Sequence, residues 1–234
     1  MSHKLEPNKM KINKLFTILL LFITTGFYSC NLIGSHSLPQ GDEEMASLPT
    51  DTEGLKIATF AGGCFWCTEA VFERVKGVKY VISGYSGGAE KNPTYKEVSY
   101  GKTSHAESIQ IYYNPDVVSY DKLLEVFFLG AHDPTQIDRQ GPDRGKQYRS
   151  IAFYRNTKEK AAIEAEIEKI NASGKFSDPV ATEVVKFDKF YPAEKYHQDY
   201  YPDNMQNPYV QNVSKPKVEK FEKNFKSLLK DEFK

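Results

Sequence analysis

The stretch "LKIATFAGGCFWCTEAVFERV", Leu55 to Val75, changes its hydrophobic period in the space of two glycines. Leu55 to Ala61 is a short apolar run of strand character, and it stops at Gly62-Gly63. From Cys64 the apolar positions fall at Cys67, Val71 and Val75, four apart, which is one face of a helix. Glycine lets the backbone turn sharply from one element into the next. The chain therefore commits to a β–α junction with Cys64 in the first turn of the helix, and Gly77 is placed to end it.

Further periods follow the same logic. "VKYVISGY" predicts a second strand, and Gly84, Gly87, Gly88 and Pro93 mark an irregular loop running to Tyr95. Glu107 to Tyr113 alternates Ile109, Ile111 and Tyr113, a strand period. Ser119 is placed to cap a helix from Tyr120 to about Leu129. "HDPTQIDRQGPDRGKQY" is a long polar loop, and loops of that length in compact domains carry function or disorder. "RSIAFY" and "TEVVKF" predict strands on either side of a helix that Asn156 and Glu159 open and Gly174 closes. "FYPAEKYHQDYYPDN" reads as a polar-aromatic loop. Val218, Phe221, Phe225 and Leu228 lie on one stripe of a C-terminal helix spanning 215–234. This order predicts an α+β fold: a mixed sheet with helices packed on it, a split βαβ (ferredoxin-like) core, long functional loops and a C-terminal helix. Lysine plus arginine and aspartate plus glutamate both number 31, so the net charge is zero and there is no electrostatic footprint for nucleic acid.

The first thirty residues stand apart from the fold. Lys9, Lys11 and Lys14 lead into Leu15–Phe27, an apolar run shorter than the roughly 20 residues of a membrane span and of signal-peptide length. Translation starts at Met1 or at Met10, which opens a cleaner basic lead. Cys30 directly after the run resembles a bacterial lipoprotein signal, with an ordinary secretory signal as the other reading. The expected organisation is a signal peptide over 1–30 ending in lipidated Cys30, a flexible tether over 31–54, and one domain over 55–234. The product is then exported from a bacterial cytoplasm, periplasmic or held at a membrane by the lipid anchor alone.

Cys64 and Cys67 admit three readings. They can be small buried hydrophobes. They can be half a metal site, but His105, His132 and His197 are scattered singly, without ligand spacing. Or they are a working thiol pair. Unpaired N–H groups at a helix start stabilise an anion, which predicts a lowered pKa for Cys64. At i and i+3 the two Cβ atoms sit roughly 5–6 Å apart, near the roughly 3.5–4.5 Å a disulfide needs, so bridging takes a slight local adjustment and the bond would be strained and easily reduced.

"GGCFWCTEAVFERVKGV" resembles the signature of the A-class peptide-methionine (S)-S-oxide reductases. "NPTYKEV", "GKTSHAESIQIYYNP", "HDPTQIDRQGPDRGKQYRS" and "YPAEKYHQDYY" match that family in order, from about Lys56 to Gln211. The resemblance implies that Cys64 is the nucleophile toward the sulfoxide sulfur and that Phe65 and Trp66 hold the substrate methyl group. It implies that Glu107 protonates the departing oxygen, that Tyr95 and Tyr148 hydrogen-bond it, and that Asp143 supports them. Taken alone, Glu107 reads as a solvent-facing strand-end carboxylate, the tyrosines as packing and Asp143 as a turn residue. Glu194 and His197 receive no role. Many relatives recycle the enzyme with a tail cysteine, but no cysteine follows Cys67 here and "NPYVQNV" occupies that region. Cys67 is thus the internal thiol left to resolve a sulfenic acid on Cys64, and a thioredoxin-like dithiol the external reductant. No motif for a flavin, a metal or another cofactor is present. The rival activity for a CxxC pair is thiol–disulfide exchange on other proteins.

Overall fold

The computed structural model describes residues 44–234. The expected signal segment, Cys30 and the expected tether as far as residue 43 lie outside the described residues. The last stretch of the expected tether is seated on the domain: Ala46 N–H donates to Ala193 O at 2.9 Å and Lys195 N–H to Glu44 O at 2.7 Å.

Four strands form the centre: β1 (Lys56–Gly62), β2 (Val78–Ser86), β3 (Ala106–Tyr113) and, after a small hairpin of β4 (Arg139–Gln140) and β5 (Asp143–Arg144), β6 (Ser150–Tyr154). β7 (Glu183–Lys186) and β8 (Phe190–Pro192) flank them in the order β7-β6-β1-β3-β2-β8. β1 and β2 each run antiparallel to β3, which lies between them. β3 and β6 each run antiparallel to β1. The centre is therefore two interlocked split βαβ units, as the element order predicts. Among the described residues only β6 and β7 pair in parallel. Helix α1 (Phe65–Glu73) crosses from β1 to β2, with Cys67, Ala70, Val71 and Phe72 buried against the sheet and the C-terminal helix.

Several boundaries differ from the sequence reading. α1 ends at Glu73, capped by Arg74; Gly77 is left-handed (φ 84°) in the turn into β2, after the chain has left the helix. The irregular loop before Glu107 contains α2 (Tyr95–Ser99), which Thr94 and Glu97 start as a reciprocal capping box. α3 (Tyr120–Val126) widens into a π-type turn at Phe127–Ala131, letting Phe127 stack on Phe60 at 4.6 Å. α4 (Thr157–Ser173) has the expected Asn156 cap and left-handed Gly174. β8 is too short to show a period; it pairs Tyr191 with Tyr85, and no side chain would fit at Gly84, whose Cβ would lie 2.3 Å from Tyr191 O. The short α5 (Tyr200–Asp203) follows. The C-terminal helix is shorter than the expected 215–234: α6 (Lys215–Asn224) stops where the chain turns back, so that Leu229 bridges to Val75 and Lys230 N–H reaches Arg74 O at 2.9 Å. Closing on the end of α1 outcompetes continued helix there.

Candidate active site

The site grows out of the β1–α1 junction. Gly63 is left-handed (φ 83°), and a Cβ on it would sit 2.4 Å from Gln140 Cβ, so the β4–β5 hairpin closes directly over the turn. This presents Cys64 as the residue capping α1, 5% exposed. Glu107, on β3 opposite Tyr85, reaches across to the same helix end and accepts the Phe65 N–H at 3.0 Å.

The walls are aromatic. Trp66 stacks on Tyr200 (3.7 Å between centroids, 10° between planes), meets Tyr209 edge-on, and donates its indole N–H to His197 Nδ1 at 3.1 Å. Asn207 ties this wall together, donating to the Tyr200 hydroxyl at 3.1 Å and accepting from Tyr209 N–H at 2.8 Å. Tyr95 faces Phe65 at 6.2 Å, and its N–H donates to Glu194, which also accepts the Tyr85 hydroxyl at 2.8 Å. Buried Glu194 thus pins α2, and Tyr95 with it, to the sheet. Asp143 accepts the Tyr209 hydroxyl at 2.6 Å. Cys64, Phe65, Trp66, Tyr95, Glu107, Asp143 and Tyr148 line one cavity of about 330 Å³, together with Asn207 and Tyr209. Cys67 lies behind it, buried one turn further along α1.

Protonation follows burial. Glu107 is 2% exposed, and desolvation drives its carboxyl up to about 8 against the opposing Phe65 N–H bond, with Asp143 and Cys67 adding to the rise. It is a neutral acid at pH 7. Burial also holds the Tyr95, Tyr148 and Tyr209 hydroxyls above the ordinary range, so all three keep a proton to donate. Burial pushes His197 down to about 3, so it is neutral and accepts from Trp66 at Nδ1.

Cys64 corrects the sequence reading. Burial, then Cys67 and Glu107, push its thiol up rather than down, and a Tyr209 hydrogen bond opposes them. The reason is local: its side chain takes no capping hydrogen bond from the helix, and the Phe65 N–H goes to Glu107 instead. The depressed thiol is Cys67, brought to about 7 by hydrogen bonding with Cys64, helped by Lys217 and Ser214 and against its own burial. Both sulfurs are free thiols.

Every site residue named from the sequence except Cys67 and Cys30 lines this cavity; Cys67 lies behind it, and Cys30 is outside the described residues. Sequence reasoning missed Tyr209, Asn207, Tyr200 and the positioning of Glu194 and His197. The available signal was the aromatic-polar run "YHQDYYPDN" and the tail "NPYVQNV".

The model of the peptide methionine sulfoxide reductase family matches residues 56–229. The chain belongs to that family. The reductase is 47% identical over 196 residues to peptide methionine sulfoxide reductase MsrA 2 of Synechocystis sp., covering 84% of this chain and 92% of the relative. It is 51% identical over 171 residues to MsrA of Sulfolobus acidocaldarius, covering 73% and 96%. Its fold superposes on methionine sulfoxide reductase A of Corynebacterium diphtheriae with a TM-score of 0.60 at 32% identity, over 67% of this chain and 78% of that one. The reduced form of Mxr1 from Saccharomyces cerevisiae gives 0.60 at 34% identity, over 70% and 91%. The reductase is an oxidoreductase, and its reaction is the reduction of methionine sulfoxide to methionine.

Proposed function

We propose that the reductase acts on the S epimer of methionine sulfoxide, free or in oxidised proteins, with Cys64 as nucleophile and Cys67 as resolving thiol. The observation that carries this reading is a neutral carboxyl, Glu107, at the helix end that bears Cys64, in one aromatic cavity. A sulfoxide oxygen leaves only when protonated, so the site needs an acid that holds its proton at neutral pH. Cys64 bonds to the sulfoxide sulfur between Phe65 and Trp66, which exclude water and enclose the methyl group. The protons of Cys64 and Glu107 leave on the oxygen as water, with Tyr95 and Tyr148 donating to it. A second water then displaces methionine from the Cys64 sulfur and returns a proton to Glu107, leaving a sulfenic acid. Thiol–disulfide exchange on protein partners would need neither the neutral acid nor the aromatic walls of the cavity. An assay on separated S and R sulfoxides with dithiothreitol tests the reading: only the S epimer is expected to be consumed, and consumption of both or neither overturns it.

Cys67 then attacks the sulfenic acid, and a thioredoxin-like dithiol reduces the resulting Cys64–Cys67 disulfide. Cys67→Ser is expected to reduce one equivalent of sulfoxide and stall, giving a dimedone adduct on Cys64. Its turnover with thioredoxin should be lost, because attack by Cys67 is intramolecular and has no substitute of comparable effective concentration. Turnover at the wild-type rate would make Cys67 structural.

The exported, lipid-anchored state is the reading that the basic lead, the apolar run and Cys30 support. Intact mass of protein from the membrane fraction is expected to show a chain beginning at diacylated Cys30. A mature chain that retains Leu15–Phe27 or begins beyond Cys30 rules it out.

A further inference from the structure

Cys67 has surroundings that its place in α1 does not explain. Its thiol donates to Ser214 Oγ at 3.2 Å, a hydroxyl that can rotate to donate once the thiol ionises, and Lys217 Nζ reaches the sulfur at 3.9 Å. Both come from the C-terminal part of the chain, 147 and 150 residues away. Ser214 is fully buried and ends a π-type turn, Val210–Ser214, whose extra width sets its side chain against α1; such turns recur at functional sites. Lys217 is half-buried on the helix that runs on from that π-type turn, one turn past Ser214. Among the described residues it forms no ion pair with a carboxylate within 4.0 Å, whereas neighbouring Lys215 pairs with Glu219. A half-buried ammonium without a carboxylate partner, directed at a sulfur, is arranged for a negative sulfur.

We propose that Ser214 and Lys217 hold Cys67 as the thiolate that resolves the sulfenic acid on Cys64. This inference rests on the resolving role proposed for Cys67. The sulfur of Cys67 attacks the Cys64 sulfur; the S–S bond forms and the S–O bond breaks. The proton released by Cys67 and the departing hydroxide leave together as water. Cys67 is oxidised to disulfide as the Cys64 sulfenic acid is reduced to it. The C-terminal segment, which carries no cysteine after Cys67, thus supplies a hydroxyl and a charge in place of a thiol.

The groups facing Cys67 are Cys64 from its own helix turn, Glu107 from β3, Asp143 from β5, Tyr201 from α5, Tyr209 and Lys217. Lys217 is the one cation among them, so its charge is what the variants remove. The experiment follows wild type, Lys217→Met, Lys217→Arg and Ser214→Ala after one equivalent of methionine S-sulfoxide without reductant, from about pH 6 to about pH 9, the range in which thiols titrate. Disulfide formation is measured by mass after alkylation, relative to sulfenic acid formation on Cys64 measured by dimedone. In wild type the ratio is expected to level off at a lower pH than in either Lys217→Met or Ser214→Ala. In Lys217→Met the profile should move up by about one pH unit, making resolution ~10-fold slower near neutrality; Ser214→Ala should move it less in the same direction, and Lys217→Arg should restore it. An unchanged profile in both Lys217→Met and Ser214→Ala overturns the proposal and leaves the resolving role of Cys67 standing. Absence of any Cys64–Cys67 disulfide in wild type overturns the resolving role itself.

Discussion

Cys64→Ser is expected to abolish sulfoxide reduction with every reductant, small or protein. The cavity would still bind substrate, because Phe65, Trp66, Tyr95 and Glu107 remain in place. No sulfur would face the substrate, since Cys67 is 1% exposed and lies behind the cavity wall. A serine hydroxyl is a far weaker nucleophile toward sulfur and has no activating base beside it: Glu107 is protonated and His197 is committed to Trp66. Replacing a buried thiol with a hydroxyl costs stability on the order of 1–2 kcal/mol, which a folded domain survives, so circular dichroism should show an intact fold. Residual turnover above about a few per cent would assign the attack to another group.

Glu107→Gln is expected to slow the chemical step by ~10²–10⁴-fold with little change in substrate affinity, because general acid catalysis acts in the transition state. The amide oxygen can still accept the Phe65 N–H, so the helix start keeps its partner. Single-turnover formation of the Cys64 sulfenic acid is the measurement, and an unchanged rate would move the proton donor to Tyr95, Tyr148 or water. The wild-type rate of that step should fall as pH rises through about 8, where Glu107 loses its proton. Stability carries the same signature. The folded state keeps a proton that the unfolded chain releases near the ordinary value of 4.5, so between there and about 8 rising pH costs the wild type stability. Glu107→Gln has no such proton to lose. Its thermal stability should decline less over that window, which separates a loss of acid catalysis from a loss of fold.

By itself the sequence determined the β–α junction at Gly62-Gly63, the strand periods of β1 to β3 and β6, the caps of α3 and α4, and the family to which the site residues belong. These are short-range signals: a period, a cap or a motif is written within a dozen neighbours. Tertiary structure alone decided where the pattern was too short or where a distant partner won. α2 and β8 are brief elements that show no period, and α6 ends because Leu229 and Lys230 close on α1. Protonation was decided the same way. The helix start in the sequence pointed to an acidic Cys64, yet the N–H meant for it is taken by Glu107, 42 residues away, and burial raises both groups. The thiol that is lowered is Cys67, whose partners Ser214 and Lys217 lie beyond any local window. A pKa depends on desolvation and on charges within a few ångströms, and folding brings those from anywhere along the chain.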